Sequence, residues 1–153
     1  MLLNVKTGEN TAVKLHSGEK GNQNFLGPQL WKPLIEYVNG TAVECNTAYD
    51  GERNYTDKHI KLLHEHGWDK YFKTEILDGE ADMALPVKNG RVLSKNYVGK
   101  GLEKYDFLLV LSHFKGHPMG GFGGAIKNIA IGVASSKGKK LVHSAGRAER
   151  VSN

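Results

Sequence analysis

LLVLSHFKGHPMGGFGGAIKNIAIGVAS, residues Leu108–Ser135, joins an apolar run to a glycine-rich segment and then to a helix-forming segment. The apolar run Phe107–Leu111 is too short and too uniform for an amphipathic helix, so it predicts a strand buried on both faces. The segment Ala125–Ala134 has helical composition. The stretch therefore predicts a strand, a turn and a helix, the junction at which α/β proteins most often bind ligands.

The predicted turn combines basic side chains with closely spaced glycines. Its members are His113, Lys115, His117, Gly120, Gly121, Gly123 and Gly124. Glycine lets a bound group approach the backbone, and the free N–H groups that begin the next helix favour an anion. The GxGxxG pattern fails because Ile126 occupies its last position, and Lys127 has no GxxxxGK[ST] motif around it. We therefore expect an anion or cofactor site without a standard phosphate motif, the alternative being glycines that serve only a tight turn.

The rest of the chain alternates strand and helix patterns. The predicted strands are Ala12–His16, Thr41–Cys45, and segments around Tyr71–Leu77, Leu85–Val87 and Arg91–Val98; the predicted helices are Pro28–Tyr37 and Thr56–His66. This order is typical of an α/β domain with a largely parallel sheet, helices on its faces, and strand-end turns along one edge. We expect His16, Asn46 and His113 near that edge. Residues 1–144 are predicted to form this single domain, followed by a flexible tail over residues 145–153.

Composition excludes several classes of protein. The 21 basic and 16 acidic residues of the 153-residue chain give a net charge of +5. The basic residues are scattered apart from Lys137–Lys140, without the interleaved aromatics of a nucleic-acid platform, so a small anionic ligand is the preferred interpretation. Cys45 is the only cysteine, which excludes a disulfide framework or an iron–sulfur cluster made by this chain alone. We expect Cys45 to be a small buried residue.

Targeting and membrane signals are not found in the sequence. The first fifteen residues, MLLNVKTGENTAVKL, lack the charged and apolar regions of a signal peptide. No apolar run approaches the ~18 residues of a membrane helix. The sequence therefore predicts a cytoplasmic protein without membrane or nucleic-acid partners.

The histidines of the predicted helix Thr56–His66 do not form a metal site. Residues two apart on a helix point about 200° apart, so His64 and His66 do not share an ion there. We interpret His59, His64 and His66 as solvated or capping residues. His113 and His117 flank a glycine loop instead of a helix, so a metal bound by this pair stays an alternative.

Three segments of the chain resemble domain-of-unknown-function family 362. They are AVKLHSGEKGN near the start, CNTAYDGERN in the middle and SHFKGHPMGGFGGAIKNIAIGVASSKGK. The resemblance runs from about Thr11 to Ser144. In that family a ferredoxin-like segment, whose cysteines hold iron–sulfur clusters, typically follows this region. The resemblance therefore implies the N-terminal part of a longer redox-associated protein, or an unusually short relative, with any iron–sulfur cluster in the following segment.

A second resemblance, in residue spacing, is to the N-terminal domain of the nickel-pincer lactate racemase family. That family has a histidine, a GFxGG-type loop, a lysine ten residues after the histidine, and another histidine sixteen further on. His117, Lys127 and His143 match these positions, and the loop Gly121–Gly124 is one residue shorter. The resemblance implies that Lys127 tethers the pincer nucleotide, His143 ligates nickel, and His117 acts as general acid/base. The racemases have a second catalytic histidine at a position that corresponds to Gly51–Glu52 here, where this chain has no histidine. Glu52 is therefore a candidate proton carrier in its place.

The sequence thus supports three functional hypotheses. The first is a cofactor- or anion-binding domain of a ferredoxin-linked protein, with a ferredoxin-type domain as partner. The second is a racemase-like or isomerase-like enzyme using a divalent metal or nickel-pincer nucleotide, and the third is a non-catalytic carrier or partner-binding module. The candidate residues are His117 and Glu52 for catalysis, His143 for metal, and His113, Lys115, Gly121, Gly123, Gly124 and Lys127 for cofactor binding.

Overall fold

The main sheet contains four parallel strands in the order β3-β2-β1-β6. The structure, a computed structural model, describes residues 10–118 and 120–147 of the chain. Its strands are β1 (Thr11–Lys14), β2 (Thr41–Glu44), β3 (Thr74–Ile76), β4 (Asp82–Pro86), β5 (Lys95–Gly99), β6 (Phe107–Val110), β7 (Lys115–His117) and β8 (Gly121–Gly123). In the central register, Val13 of β1 lies between Ala42 of β2 and Leu109 of β6. The predicted α/β class with a largely parallel sheet is confirmed.

The first two helices lie where the sequence predicts them. The helices are α1 (Pro28–Tyr37), α2 (Thr56–Glu65), α3 (Ala125–Ala130) and α4 (Ser136–His143), with a 3₁₀ helix over Lys100–Lys104. Asn39 follows α1 with φ 46°, and Gly67 follows α2 with φ 76°, so both helices end in left-handed residues. The N-cap of α2 is Tyr55, and no side chain caps this helix end. The hydroxyl of Thr56, the first helical residue, instead accepts a hydrogen bond from Asn46 Nδ2 at 3.0 Å.

Apolar side chains cover the sheet on both faces. Val13 belongs to the larger core, which also contains Leu15, Ile35, Val38, Ala42, Leu63, Trp68, Phe72, Ile76 and Leu111. Its neighbour Ala12 belongs to a smaller cluster with Val43, Cys45 and Leu77. Successive strand residues point to opposite faces, so these two clusters lie on opposite sides of β1. Cys45 is buried, as the sequence predicts.

The strands β4 and β5 form a separate antiparallel pair instead of extending the main sheet. Helix α4, which the sequence analysis missed, packs against β5. Its N-cap Ser135 accepts a hydrogen bond from the Gly138 N–H at 3.1 Å. The approach is close, because a Cβ on Gly138 would lie 2.0 Å from the Tyr97 carbonyl oxygen.

The prediction that Phe107–Leu111 is buried on both faces is wrong for its first half. The strand β6 lies at the edge of the sheet and pairs only with β1 among the described strands. Phe107 and Leu108 are 38% and 36% exposed, whereas Leu111, just beyond the strand, is buried. An uninterrupted apolar run does not distinguish a central strand from an edge strand, since both pair through the same backbone groups.

The predicted glycine turn contains a small antiparallel hairpin, β7–β8, that the sequence analysis missed. Gly116 lies beside Phe122 in its register, and the rings of Phe114 and Phe122 pack with centroids 5.3 Å apart. The helix after it is also shorter than the predicted Ala125–Ala134, because α3 ends at Ala130. Ala134 instead forms an antiparallel bridge with Val98, which requires extended backbone.

The C-terminal part of the chain is described only to residue 147. Backbone hydrogen bonds from residues 144–146 close the last turn of α4. Most of the predicted flexible tail over residues 145–153 lies outside the described residues, which end at residue 147, so this tail stays a prediction. Within the described ranges, no helix is both long and apolar enough to cross a membrane.

Gly138→Ala is expected to destabilise the protein, although alanine ordinarily favours a helix. The added Cβ meets the backbone of Tyr97, and overpacking of this kind costs about 1–3 kcal/mol, more than the roughly 1 kcal/mol gained in helix propensity. Urea unfolding measures the effect as a lower midpoint. Gly116→Ala is the control, because no atom lies within 4 Å of its added Cβ. Equal midpoints for the two variants would be inconsistent with close packing of α4 on β5.

Candidate functional site

One cavity of about 490 Å³ collects most of the predicted site residues. It lies beyond the carboxyl ends of β1, β2 and β6, and the hairpin β7–β8, α3 and α4 complete its walls. The predicted residues that line it are His113, Lys115, His117, Gly123, Gly124, Lys127 and His143. His16 also lines it, whereas Asn46 is not part of its lining and donates from Nδ2 to Thr56 Oγ1. Strand ends and a glycine-rich segment therefore meet at one cavity, although the roles of these residues stay predictions.

Two of the predicted site residues lie outside the lining of this cavity. Glu52 is half-exposed and its carboxylate lies 3.9 Å from Lys20 Nζ, in an ion pair at the surface. Gly121 lies in the hairpin with φ 72°, a left-handed conformation that favours glycine. Gly121 therefore has a conformational role that does not require ligand contact.

The hairpin brings its wall residues against α3. Gly123 lies so close to the helix that a Cβ there would be 3.1 Å from Lys127 Cδ, and a Cβ on Gly124 would be 3.3 Å from Phe114. His117 Nδ1 accepts a hydrogen bond from the Gly120 N–H at 3.0 Å. The absence of a side chain thus lets the Lys127 stem lie against Gly123 and the Phe114 ring lie against Gly124.

The floor of the cavity is a buried ionic cluster centred on Glu44. Its Oε2 accepts from Lys14 Nζ at 2.7 Å, and its Oε1 accepts from the Ser17 N–H at 2.8 Å and from Arg53 at 3.2 Å. Burial alone would raise the pKa of Glu44, but the charges of Lys14 and Arg53 and hydrogen bonding hold it well below its usual value. Glu44 is therefore an ionised carboxylate whose charge is already compensated.

Arg53 is fixed in the same cluster by three further side chains. Its Nε donates to His59 Nε2 at 3.2 Å, and one terminal nitrogen donates to Glu19 at 2.8 Å and lies 3.3 Å from His16 Nδ1. His59 is fully buried, and burial lowers its pKa to about 4. The prediction that His59 is solvated or capping is therefore wrong, because it is a neutral residue that supports a buried arginine.

Helix α3 is attached to this floor through Asn128. Its Oδ1 accepts from Lys14 Nζ at 2.9 Å, while its Nδ2 donates to the Leu111 carbonyl at 3.3 Å and to Ser112 Oγ at 3.2 Å. Lys14 belongs to β1 and Leu111 follows β6, so one amide connects the helix to two strands. The position of Lys127, the preceding residue, consequently depends on the ionic floor.

The charges of the rim are not compensated in this way. Lys115 and Lys127 form no ion pair with any carboxylate in the described ranges. Partial burial and then the neighbouring Lys115 charge lower the pKa of Lys127. The walls thus hold two mutually repelling amines beside backbone that glycine leaves accessible.

Two other titratable groups of the lining are buried. Burial lowers the pKa of Lys139, whose Nζ donates to the Ala134 carbonyl oxygen. Burial raises the pKa of Cys45 to about 12, and its thiol donates to the Val133 carbonyl at 3.3 Å. Cys45 is therefore a protonated structural thiol, not a nucleophile at neutral pH.

The other two histidines of the predicted helix Thr56–His66 have the predicted solvated or capping positions. His64 is exposed and lies 2.7 Å from Asp69, and His66 is the C-cap of α2 and stacks on Phe25 with ring centroids 4.5 Å apart. No group of three histidine, cysteine or acidic residues in the described part of the chain is arranged to hold a metal. His143 lines the cavity and is exposed.

Sequence reasoning missed the ionic floor. Lys14 lies within the otherwise apolar AVKL of β1, and Glu44 within TAVEC of β2, at strand positions that a central parallel sheet buries. Charged residues are almost never fully buried unless they are paired, so these two interruptions were a signal of an internal ion pair. Arg53 and Lys139, which lie in a loop and in the missed helix, had no comparable signal.

The buried His59 makes the stability of the protein depend on pH. Its pKa is about 4 in the folded state and 6.5 ordinarily, so only the unfolded state takes up a proton between these values. The contribution of neutral His59 to the free energy of unfolding is fully present above pH 6.5, and roughly 3 kcal/mol of it is lost by pH 4. We expect urea unfolding to show this slope in the parent protein and in the exposed-site control His64→Gln, and a smaller slope in His59→Gln. Parallel profiles for parent and His59→Gln would contradict the assignment.

Comparison with known proteins identifies a family but no characterised relative. No curated protein and no solved structure matches the chain. One family model, described as Domain of unknown function (DUF362), matches residues 11–153. This range contains the strands, the glycine hairpin and the cavity described above. The chain therefore belongs to the DUF362 family of domains of unknown function.

Proposed function

We propose that the cavity binds a small anionic ligand or cofactor. The observation that carries this proposal is the pair of amines of Lys115 and Lys127, which line one cavity and have no carboxylate partner among the described residues. Two neighbouring like charges repel each other, and an anion between them removes that repulsion. The exposed hairpin backbone at Gly116, which lines the cavity and has no atom within 4 Å of an added Cβ, provides further room for close approach.

The charge balance of the whole lining favours the same ligand class. Five basic residues line the cavity, Lys14, Lys115, Lys127, Lys139 and Arg53, against the two carboxylates Glu19 and Glu44. Both carboxylates are already paired, Glu44 with Lys14 and Arg53, and Glu19 with Arg53 at 2.8 Å. The remaining field is positive, so a cationic ligand is disfavoured and an anion is attracted.

The biological setting of this site is proposed from the family resemblance. We place the domain in a cytoplasmic, redox-associated protein that works with a ferredoxin-type domain or partner carrying the iron–sulfur clusters. The buried, protonated Cys45 supports a division of labour in which this domain binds the ligand and another supplies the clusters. A carrier that binds the same ligand without transforming it is the non-catalytic form of this proposal.

The second candidate function is a racemase-like or isomerase-like enzyme. It is favoured by one observation, that His117, Lys127 and His143 line the same cavity although 26 residues separate the first from the last. Two residues of the lining fit a tethered pincer nucleotide. Lys127 offers an amine to which the nucleotide would be attached, and His143 offers one imidazole as a ligand for the metal. If present, the group held by Lys127 and His143 would supply redox chemistry to the substrate, and His117 would hold or move the substrate proton. Glu52 lies outside the cavity lining, so the structure offers no support for it as the second proton carrier.

Anion binding is tested by NMR titration with inorganic phosphate and with oxalate. We expect both anions to shift the amide signals of the segment 113–128 selectively, and added salt to weaken the effect. The double variant Lys115→Met/Lys127→Met should lose at least about one order of magnitude in affinity, because it removes both unpaired amines. Lys58→Met, at an exposed position on α2, is the matched control and should bind as the parent does. Unshifted hairpin signals at high anion concentration would refute the proposal.

Intact mass and metal analysis of the purified protein test the enzyme candidate. A tethered nucleotide adds its own mass to the chain and is lost in Lys127→Met. Nickel titration should then show binding that His143→Ala weakens strongly, whereas His64→Ala, a surface control, leaves it unchanged. A chain of unmodified mass in which His143→Ala binds nickel as well as the parent would exclude this candidate while leaving anion binding intact.

A further inference from the structure

Among the lysines that line the cavity, Lys127 differs from Lys14 and Lys139 in having an available amine. Lys14 Nζ donates to Glu44, Asn128 and the Leu15 carbonyl, and Lys139 Nζ donates to the Ala134 carbonyl. Both of these side chains are buried. The Lys127 amine has no such acceptor within the described part of the chain, and Lys127 is an exposed residue. Lys127 therefore lines the cavity with an amine that makes no hydrogen bond or ion pair in the described part of the chain.

The surroundings of Lys127 also activate its amine. The stem lies against Gly123 of the hairpin, and Lys115 on the same hairpin supplies a neighbouring positive charge. Both partial burial and that charge lower the pKa of Lys127, which increases the fraction of neutral amine at a given pH. A lysine beside a second cation is a recognised form of activated amine nucleophile.

We propose that Lys127 forms an imine with an anionic carbonyl compound of the 2-oxo acid class, whose carboxylate is bound by Lys115. The proposal rests on the anion site proposed above and assigns the ligand a reactive group as well as a charge. In a 2-oxo acid the carboxylate is bonded directly to the carbonyl carbon, so one small molecule can contact two neighbouring amines. Such a ligand fits easily within a cavity of about 490 Å³.

The reaction needs no further reactant. The Lys127 ammonium first gives one proton to an imidazole of the lining, either His117 or His143. The neutral nitrogen then attacks the carbonyl carbon, forming the C–N bond. The carbonyl oxygen takes back that proton and a second proton from nitrogen, the C–O bond breaks, and water leaves. The product is a protonated imine, so the positive charge of Lys127 is retained and atoms and charge balance.

Reductive trapping with pyruvate and cyanoborohydride tests the proposal. Peptide mapping of the parent protein should find the reduced adduct mainly on Lys127, and Lys127→Met should lose this excess label. Lys58→Met is the matched control and should keep it. Acetone, a ketone without a carboxylate, should label Lys127 much less than pyruvate does, because only the lowered pKa of the amine then favours this lysine. In Lys115→Met, the pH at which trapping is half-maximal should move upward, because the charge that lowers the Lys127 pKa is removed.

The outcomes separate this inference from the anion site. If oxalate shifts the hairpin signals but pyruvate labels Lys127 no more than Lys58, the imine proposal is refuted and anion binding stands. If acetone labels Lys127 as well as pyruvate does, the carboxylate requirement is refuted. If neither oxalate nor pyruvate acts at the hairpin, both proposals fail. If Lys115→Met is labelled as fully as the parent at every pyruvate concentration once the pH is raised, carboxylate binding by Lys115 is refuted, because only its effect on the Lys127 pKa would remain.

Discussion

The buried ion pair between Glu44 and Lys14 is the interaction on which the rest of the site depends. The two charged side chains are 2% and 2% exposed and connect neighbouring strands at the edge where the cavity opens. Desolvating two charges is expensive, and removal of one partner from such a pair typically costs about 3–5 kcal/mol. Because Ser17, Arg53 and Asn128 also bond to this pair, the turn after β1, the loop before α2 and the helix α3 share one anchor.

This anchor separates a compensated floor from an uncompensated rim. Arg53 and Lys14 satisfy Glu44, and their charges are therefore already directed at a carboxylate before any ligand arrives. The unpaired charges lie above them on the hairpin and on α3, at Lys115 and Lys127. An anion that binds between these two amines would meet no repulsion from a carboxylate of the rim. The floor would hold the two lysines in place without contacting the ligand.

The sequence predicted the local structure better than the neighbourhood of each element. Periodicity and stop signals identified α1 and α2, and apolar runs identified β1, β2 and β6, because these signals act within a few residues. Tertiary neighbours decide whether the strand of Phe107 is central or at the edge of the sheet. They also decide whether His59 is solvated or buried. The pairing of β7 with β8 and the floor around Arg53 also arise only from tertiary contacts. The one signal that sequence offered for the floor was a pair of charges, Lys14 and Glu44, inside apolar strands.

The glycines of the hairpin show why packing and ligand binding are not separate explanations of this segment. Gly121 has φ 72° and serves the backbone turn. Gly123 and Gly124 have no left-handed φ, yet a Cβ on either would press on Lys127 or Phe114 at 3.1 and 3.3 Å. Their small size thus favours the close packing of a cationic stem and an aromatic ring against the hairpin. Since Lys127 also lines the cavity, the same glycine that packs against its stem lies beside the residue that would meet an anion.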